Sequence, residues 1–279
     1  MLVNLSEIIG MAEAGGFCIP AFNVYNTETV MGVIEAAEEM KAPVIIQVYP
    51  RLINEQVGYY IAPAVLAGAK KASVPICFHL DHGPSEKEVV KMLRYGATGI
   101  MIDGSVLPYE ENVALTRYVV EMCDEVNVGV EGELGHIGSV NDETMEEYTD
   151  PVEAGDFVRK TGVTCLAVLV GNAHGHYKKT PKIDIERIRA IRENTNNIPL
   201  VLHGGSGIPD EAIKEAVKAG IRKLNVATDI CYAFLDCVQE EVNKPDRAIA
   251  VDNFMKKPIE AVKNFAMTKI LLVGAEGKA

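Results

Sequence analysis

Short apolar runs and longer amphipathic stretches alternate along the chain. The apolar runs fall at 17–24, 43–49, 75–82, 99–104, 128–135, 165–171, 199–204 and 223–229. They are rich in Val, Ile and Leu, and several begin after Pro or Gly. Runs that stay apolar without alternation predict strands covered on both faces, as in a parallel sheet. Helical spacing fills the gaps. In 26–41, Val30, Val33, Ile34 and Ala37 share one face. The stretch 85–96 opens with Ser85 and Glu88 at capping-box spacing. Further helices are predicted over 53–72, 109–126, 151–162, 184–195, 209–220 and 231–244, several of them ending at a glycine, as C-caps do.

Eight strands, each followed by a helix, in 279 residues predict an α/β protein with a (β/α)8 TIM-barrel fold. A doubly wound open sheet is the alternative, but it usually has fewer strands. Residues 1–279 read as one barrel domain, with one or two extra C-terminal helices over about 254–274. Two segments break the short-loop rhythm: 136–149, polar and acidic, and 175–182, basic and ending near Pro181. Loops of that length in a compact domain are usually functional or disordered.

Composition narrows the function. Hydrophobic residues make up 48% of the chain, enough for a large core. A net charge of -12 argues against nucleic acid or an anionic membrane as partner. No apolar run reaches the ~20 residues of a membrane span. The first residues lack the basic and apolar regions of a signal peptide, and none of the six cysteines forms a CxxC pair. A cytoplasmic protein with reduced thiols is expected.

A barrel places its chemistry at the C-terminal ends of the strands. There lie His79-Leu80-Asp81-His82-Gly83 on strand three, Asp103 on strand four, Glu131 and Glu133 in strand five, His174 after strand six and His203 on strand seven. Imidazoles and carboxylates are costly to bury unless they are paired or bound to metal. Three imidazoles with an open fourth position form a catalytic zinc site, and His82, His174 and His203 share one rim. Separately satisfied histidines are the alternative. Gly204-Gly205-Ser206-Gly207 after strand seven and Asn225-Val226-Ala227-Thr228 at the end of strand eight stand where this barrel holds phosphate.

Taken together, these motifs resemble those of the class II, zinc-dependent ketose-bisphosphate aldolases of the fructose- and tagatose-bisphosphate type. The resemblance spans nearly the whole chain. It rests on Ala21-Phe22-Asn23, His79-Leu80-Asp81-His82-Gly83, Met101-Ile102-Asp103-Gly104-Ser105, Val130-Glu131-Gly132-Glu133-Leu134-Gly135, Ala173-His174-Gly175, Leu202-His203-Gly204-Gly205-Ser206-Gly207 and Asn225-Val226-Ala227-Thr228. It implies that His82, His174 and His203 bind Zn2+ and that Asp81 exchanges a proton with the hydroxyl on the cleaved bond. It implies that Gly175, Gly204, Gly205, Ser206, Asn225, Val226, Ala227 and Thr228 hold the dihydroxyacetone-phosphate half. Asp103 and Glu133 match a second or displaced zinc position, or are structural carboxylates; Asn23 and Ser105 orient their neighbours. A monovalent cation near the phosphate and a homo-oligomer, dimer or tetramer, are also in keeping with the family.

Two departures bear on the substrate. The family's Gly-Gly-x-Glu-Asp loop is replaced by Gly138-Ser139-Val140-Asn141-Asp142-Glu143, which leaves Asp142 and Glu143 as candidates for the missing glutamate. The Asp-Pro-Arg that holds a distal phosphate is replaced by Val251-Asp252-Asn253. Arg51, in Tyr49-Pro50-Arg51, becomes the candidate for a distal anion, with His136 and Lys178 behind it. The expectation is an aldolase that releases dihydroxyacetone phosphate and an aldehyde other than glyceraldehyde 3-phosphate. A metal-dependent sugar-phosphate isomerase or epimerase, or a catalytically weak aldolase-like binding protein, are the competing readings.

Overall fold

The fold is that of a computed structural model, which describes residues 1–138, 148–175, 177 and 180–279. Eight parallel strands close into a barrel in sequence order: β1 (Ile19–Asn23), β2 (Val44–Val48), β3 (Ile76–Gly83), β4 (Gly99–Ile102), β5 (Gly129–Leu134), β6 (Cys165–Val168), β7 (Leu200–Leu202) and β8 (Ile221–Val226). The barrel closes where β1 pairs with β8, Ala21 beside Asn225. Each of the eight expected apolar runs overlaps one strand; six contain it, while β3 ends one residue after the run 75–82 and β8 starts two residues before the run 223–229.

The helices in chain order are α1 (Leu5–Gly15), α2 (Thr27–Met40), α3 (Pro50–Asn54), α4 (Gln56–Lys71), α5 (Glu86–Arg94), α6 (Tyr109–Asp124), α7 (Pro151–Thr161), α8 (Ile185–Asn194), α9 (Asp210–Ala219), α10 (Thr228–Val242) and α11 (Val251–Leu272). Four details depart from the periodicity reading. The stretch 53–72 is two helices, α3 and α4, broken at Glu55, whose backbone is extended. The tail expected over 254–274 as one or two helices is one helix, α11, which starts at Val251 and carries the buried Pro258 within it. At α5, Ser85 caps the end by accepting from the Lys87 N–H, and its hydroxyl donates to the Glu88 carboxylate, so the reciprocal box is not closed. Finally, α1 was not expected from the pattern.

α1 is fixed by a closed capping box. Asn4 accepts from the Glu7 N–H at 2.8 Å, and the Glu7 carboxylate accepts from the Asn4 N–H at 2.8 Å. Its buried face, Leu5, Ile8, Ile9 and Ala12, packs on β1, β3, β4, β5 and β8. The Leu5 N–H bonds Thr98 O, just before β4, so α1 stoppers the mouth of the barrel opposite the chemistry. At the flank, α11 packs on α2. A Cβ at Gly32 of α2 would lie 2.8 Å from Ile259 O, so only glycine allows that approach.

The barrel interior departs from the usual layers of branched apolar side chains. Residues two apart on a strand share a face. Asn23, Gln47, His79, Asp81, Glu131, Glu133, His203, Lys223 and Asn225 are all buried on the strands or at their ends. Asn23 is in register with Gln47, and Gln47 with His79. A polar column therefore rises through the barrel toward the C-terminal rim. It is dense in side chains that need partners, and some go without: both His79 ring nitrogens, Gln47 Oε1 and Glu133 Oε2 make no hydrogen bond among the described residues.

Candidate active site

Asp81 and His82 are consecutive, and an ordinary strand would aim them at opposite faces. A bulge prevents this. Between Leu80 and Gly83 the β3–β4 register slips, so β3 carries one residue more than β4. His82 absorbs the kink at φ 49°, in the left-handed region that a β-carbon disfavours. Both side chains then face a cavity of about 430 Å³ at the C-terminal end of the barrel. Asn23, Tyr25, Tyr49, Arg51, Asp103, His136, His174, Gly175, Gly204, Ser206, Asn225, Ala227 and Thr228 are also in its wall. A larger groove of about 900 Å³ between α2, α4 and α11 holds no cluster of reactive groups.

Two of the three imidazoles are each held by a carboxylate behind them. His82 Nδ1 is 2.7 Å from Asp103 Oδ2, and His203 Nε2 is 2.8 Å from Glu131 Oε1. Asp103 is ionised: burial opposes this, but bonds from His82 and Ser105 hold its carboxyl well below the usual range. A carboxylate only accepts, so His82 donates from Nδ1 and His203 from Nε2. This leaves His82 Nε2 and His203 Nδ1 bare, facing one another at 2.9 Å. Two lone pairs that close repel unless a positive charge joins them. His174 completes the group. Its ring centroid lies 4.8 Å from that of His82, and its Nε2 is buried with no hydrogen-bond partner among the described residues.

The field of the site favours that positive charge. Burial pulls the His82 pKa down, but the Asp81, Asp103 and Glu133 carboxylates outweigh it and lift it to about 10. His174, buried and beside His82, drops to about 4. His203 falls well below the ordinary value through burial and the cations near it. His174 and His203 are thus neutral donors, and the carboxylates that favour a positive charge on His82 equally favour a divalent cation in place of its proton. The donor atoms of His82, His174 and His203 lie within 4.8 Å of one another, and so do those of His82, Asp103 and Glu133. The two sets share His82, whose Nε2 faces His203 at 2.9 Å and whose Nδ1 faces Asp103 at 2.7 Å and Glu133 at 3.8 Å. Glu133 Oε2 has no bond partner, and burial and Asp103 push its carboxyl up to about 8. The residues present therefore fit a metal ion at two adjoining positions.

Asp81 is clamped by two amides: Asn23 Nδ2 donates to Oδ2 at 2.8 Å and Asn225 Nδ2 to Oδ1 at 3.0 Å. Gln47 in turn bonds Asn23 Oδ1 at 2.8 Å. Ser105 bridges Asp103 Oδ1 at 2.7 Å and Glu133 Oε1 at 3.0 Å, and lies 3.1 Å from His136 Nδ1. Both Asn23 and Ser105 thus touch and orient the reactive side chains.

The anion cradle has a rigid frame. Gly204, at φ 63°, runs so close to the loop after β6 that a Cβ would fall 2.0 Å from Ala173 O. The Tyr177 hydroxyl accepts from Ala173 N–H at 2.8 Å and reaches Gly204 O at 3.1 Å, tying the two loops together. Thr228 begins α10, and the next N–H, that of Asp229, donates to Ser206 Oγ at 3.2 Å. Gly205 and Val226 do not line the cavity. Gly205 turns its N–H onto Asn225 O, and Val226 is buried in the core. Arg51, exposed, reaches the cavity with its guanidinium 5.9 Å from the Tyr25 ring centre. Asn141, Asp142, Glu143 and Lys178 lie outside the described residues.

Comparison with known proteins settles the ancestry. The profile of the family described as fructose-bisphosphate aldolase class II matches residues 3–278. The chain belongs to that family. The YdjI aldolase from Escherichia coli K12 superposes with a TM-score of 0.90 at 36% identity, over 100% of both chains. A putative fructose-1,6-bisphosphate aldolase from Coccidioides immitis follows with 0.88 at 27% identity, over 99% of this chain and 97% of that one. The fructose-bisphosphate aldolase of Campylobacter jejuni shares the fold, with 0.85 at 24% identity over 100% and 97%. Against this class II background, the residues most easily overlooked in the sequence are Lys223, Gln47 and Tyr177. Lys223 alone carried a signal, a cation at an inward position of the apolar run into β8.

Proposed function

We propose that this class II family member is a zinc-dependent aldolase that reversibly cleaves a ketose phosphate to dihydroxyacetone phosphate and an aldehyde. One observation carries the reading: the bare His82 Nε2 and His203 Nδ1, 2.9 Å apart, beside the amide-clamped Asp81. A zinc ion held by His82, His174 and His203 supplies Lewis-acid stabilisation for the charge left on the carbonyl half. Asp103 and Glu133, with His82, offer a second or displaced position for a cation.

The protein's own groups do the remainder. Asp81 removes the proton from the hydroxyl on the far side of the cleaved bond and returns it during condensation. Asn23 and Asn225 each occupy one lone pair on its two oxygens, leaving others for the substrate. The Gly175, Gly204, Ser206, Ala227 and Thr228 wall receives the phosphate through backbone N–H groups and hydroxyls. No helix among the described residues is long and apolar enough to cross a membrane.

The aldehyde end is where this chain differs. Asp252 and Asn253 stand exposed at the start of α11, outside the cavity wall. Among the described residues Arg51 is the arginine or lysine in that wall, and it takes an anionic distal group, carboxylate or phosphate, in bidentate fashion. Condensation of dihydroxyacetone phosphate with a panel of neutral, carboxylated and phosphorylated aldehydes tests this. Arg51→Ala is expected to raise KM for the anionic aldehydes about 10-fold to 100-fold and to leave neutral ones unchanged. Fructose 1,6-bisphosphate cleavage at kcat/KM on the order of 10⁴ M⁻¹s⁻¹ or above would refute the expectation of an aldehyde other than glyceraldehyde 3-phosphate and leave Arg51 as the holder of its distal phosphate. A zinc-loaded protein inert toward every ketose phosphate would refute the aldolase reading.

A further inference from the structure

Lys223 is fully buried, as is Glu131, and neither lines the cavity. Its ammonium lies 2.8 Å from Glu131 Oε2 and donates to Asn225 Oδ1 at 2.6 Å. An ammonium placed so deep needs both partners, and each partner leads to a reactive group.

Through the first, the ion pair anchors the Glu131 side chain, and its other oxygen accepts the His203 Nε2–H at 2.8 Å. This bond selects the tautomer in which Nδ1 is bare. His79, the other imidazole near Glu131 with Nε2 at 3.6 Å, is driven to its neutral form by burial and by Lys223. Through the second, Lys223 claims the oxygen of the Asn225 amide. The NH₂ must then point the opposite way, onto Asp81 Oδ1 at 3.0 Å. A flipped amide would set NH₂ against an ammonium and oxygen against a carboxylate. One cation therefore fixes one end of each arm.

We propose that Lys223 is the positioning residue that sets two reactive groups together: the metal-facing nitrogen of His203, through Glu131, and the orientation of Asp81, through Asn225. The proposal rests on the assignment of His203 and Asp81 above, and its tests separate the two. Lys223→Met alone leaves a buried carboxylate unpaired and threatens folding. Lys223→Met combined with Glu131→Gln removes both charges and keeps the shapes. In that double variant, checked for folding by circular dichroism, cobalt affinity should fall about 10-fold to 100-fold, with a shifted visible spectrum. At saturating cobalt, kcat should remain at least about tenfold low while KM changes less than threefold, the mark of lost transition-state positioning rather than lost binding. Wild-type cobalt affinity and spectrum, or full recovery of kcat at saturating cobalt, overturns the proposal, because one charge would then not govern both groups.

A measurement on the wild-type protein covers a variant that fails to fold. Histidine ¹⁵N spectra of the zinc-loaded protein should show His203 protonated at Nε2 and bound through Nδ1; a bound or bare Nε2 overturns the proposal. A wild type without lyase activity would refute the aldolase reading, while the cobalt and ¹⁵N readouts would still judge Lys223.

Discussion

Stripping divalent metal from this protein with a chelator should abolish ketose-phosphate cleavage, and zinc or cobalt should restore it. His82 Nε2 and His203 Nδ1 stand bare at 2.9 Å, and three carboxylates surround His82. Such a site has affinity for a cation and no acid of its own to stabilise a carbanionic product. His203→Ala should give the same loss without recovery. It removes one donor and also deprives Glu131 Oε1 of the N–H it accepts. Metal content by atomic absorption, read beside turnover, checks both. Turnover that survives complete metal removal would contradict the mechanism.

The second large effect separates metal from proton transfer. Asp81→Ala should retain metal, because Asp81 is not one of the three imidazole donors, yet lower kcat by about 10²–10⁴. KM should move little, since the phosphate cradle is untouched. Asn23 and Asn225 lose a shared acceptor, but both keep other bonds, to Gln47 and Lys223, so the local structure should hold. A variant with full metal content and kcat within tenfold of wild type would show that another group moves the proton.

Much of this was legible in the sequence because barrels obey strong local rules. Each strand is buried on two faces and reads as an apolar run, and each run ends at the rim. His82, His174 and His203 are far apart in the chain, yet their positions at strand ends bring their rings together. What escaped depends on contacts that periodicity does not encode. α1 escaped because its amphipathic face is short, although Asn4 and Glu7 sat at capping-box spacing. The β3 bulge escaped because a register slip depends on the neighbouring strand. Lys223 escaped because a charge in a strand usually marks a solvent face, and here it faces inward to Glu131. The placement of Gly205 and Val226 behind the cradle follows from chain direction within a turn, which a motif does not specify.

The left-handed backbone of His82 sets heat resistance against turnover. A side chain in that conformation costs on the order of 1 kcal/mol, which glycine would recover. For a domain of this size that is roughly a couple of degrees in Tm. Glycine at position 82 would shed that strain but strip the buried Asp103 carboxylate of the Nδ1–H it accepts at 2.7 Å, so the gain in backbone freedom is offset and the catalyst is lost as well. Stabilising this aldolase while keeping it alive means working on the helices and loops around the barrel and leaving the bend in β3 alone.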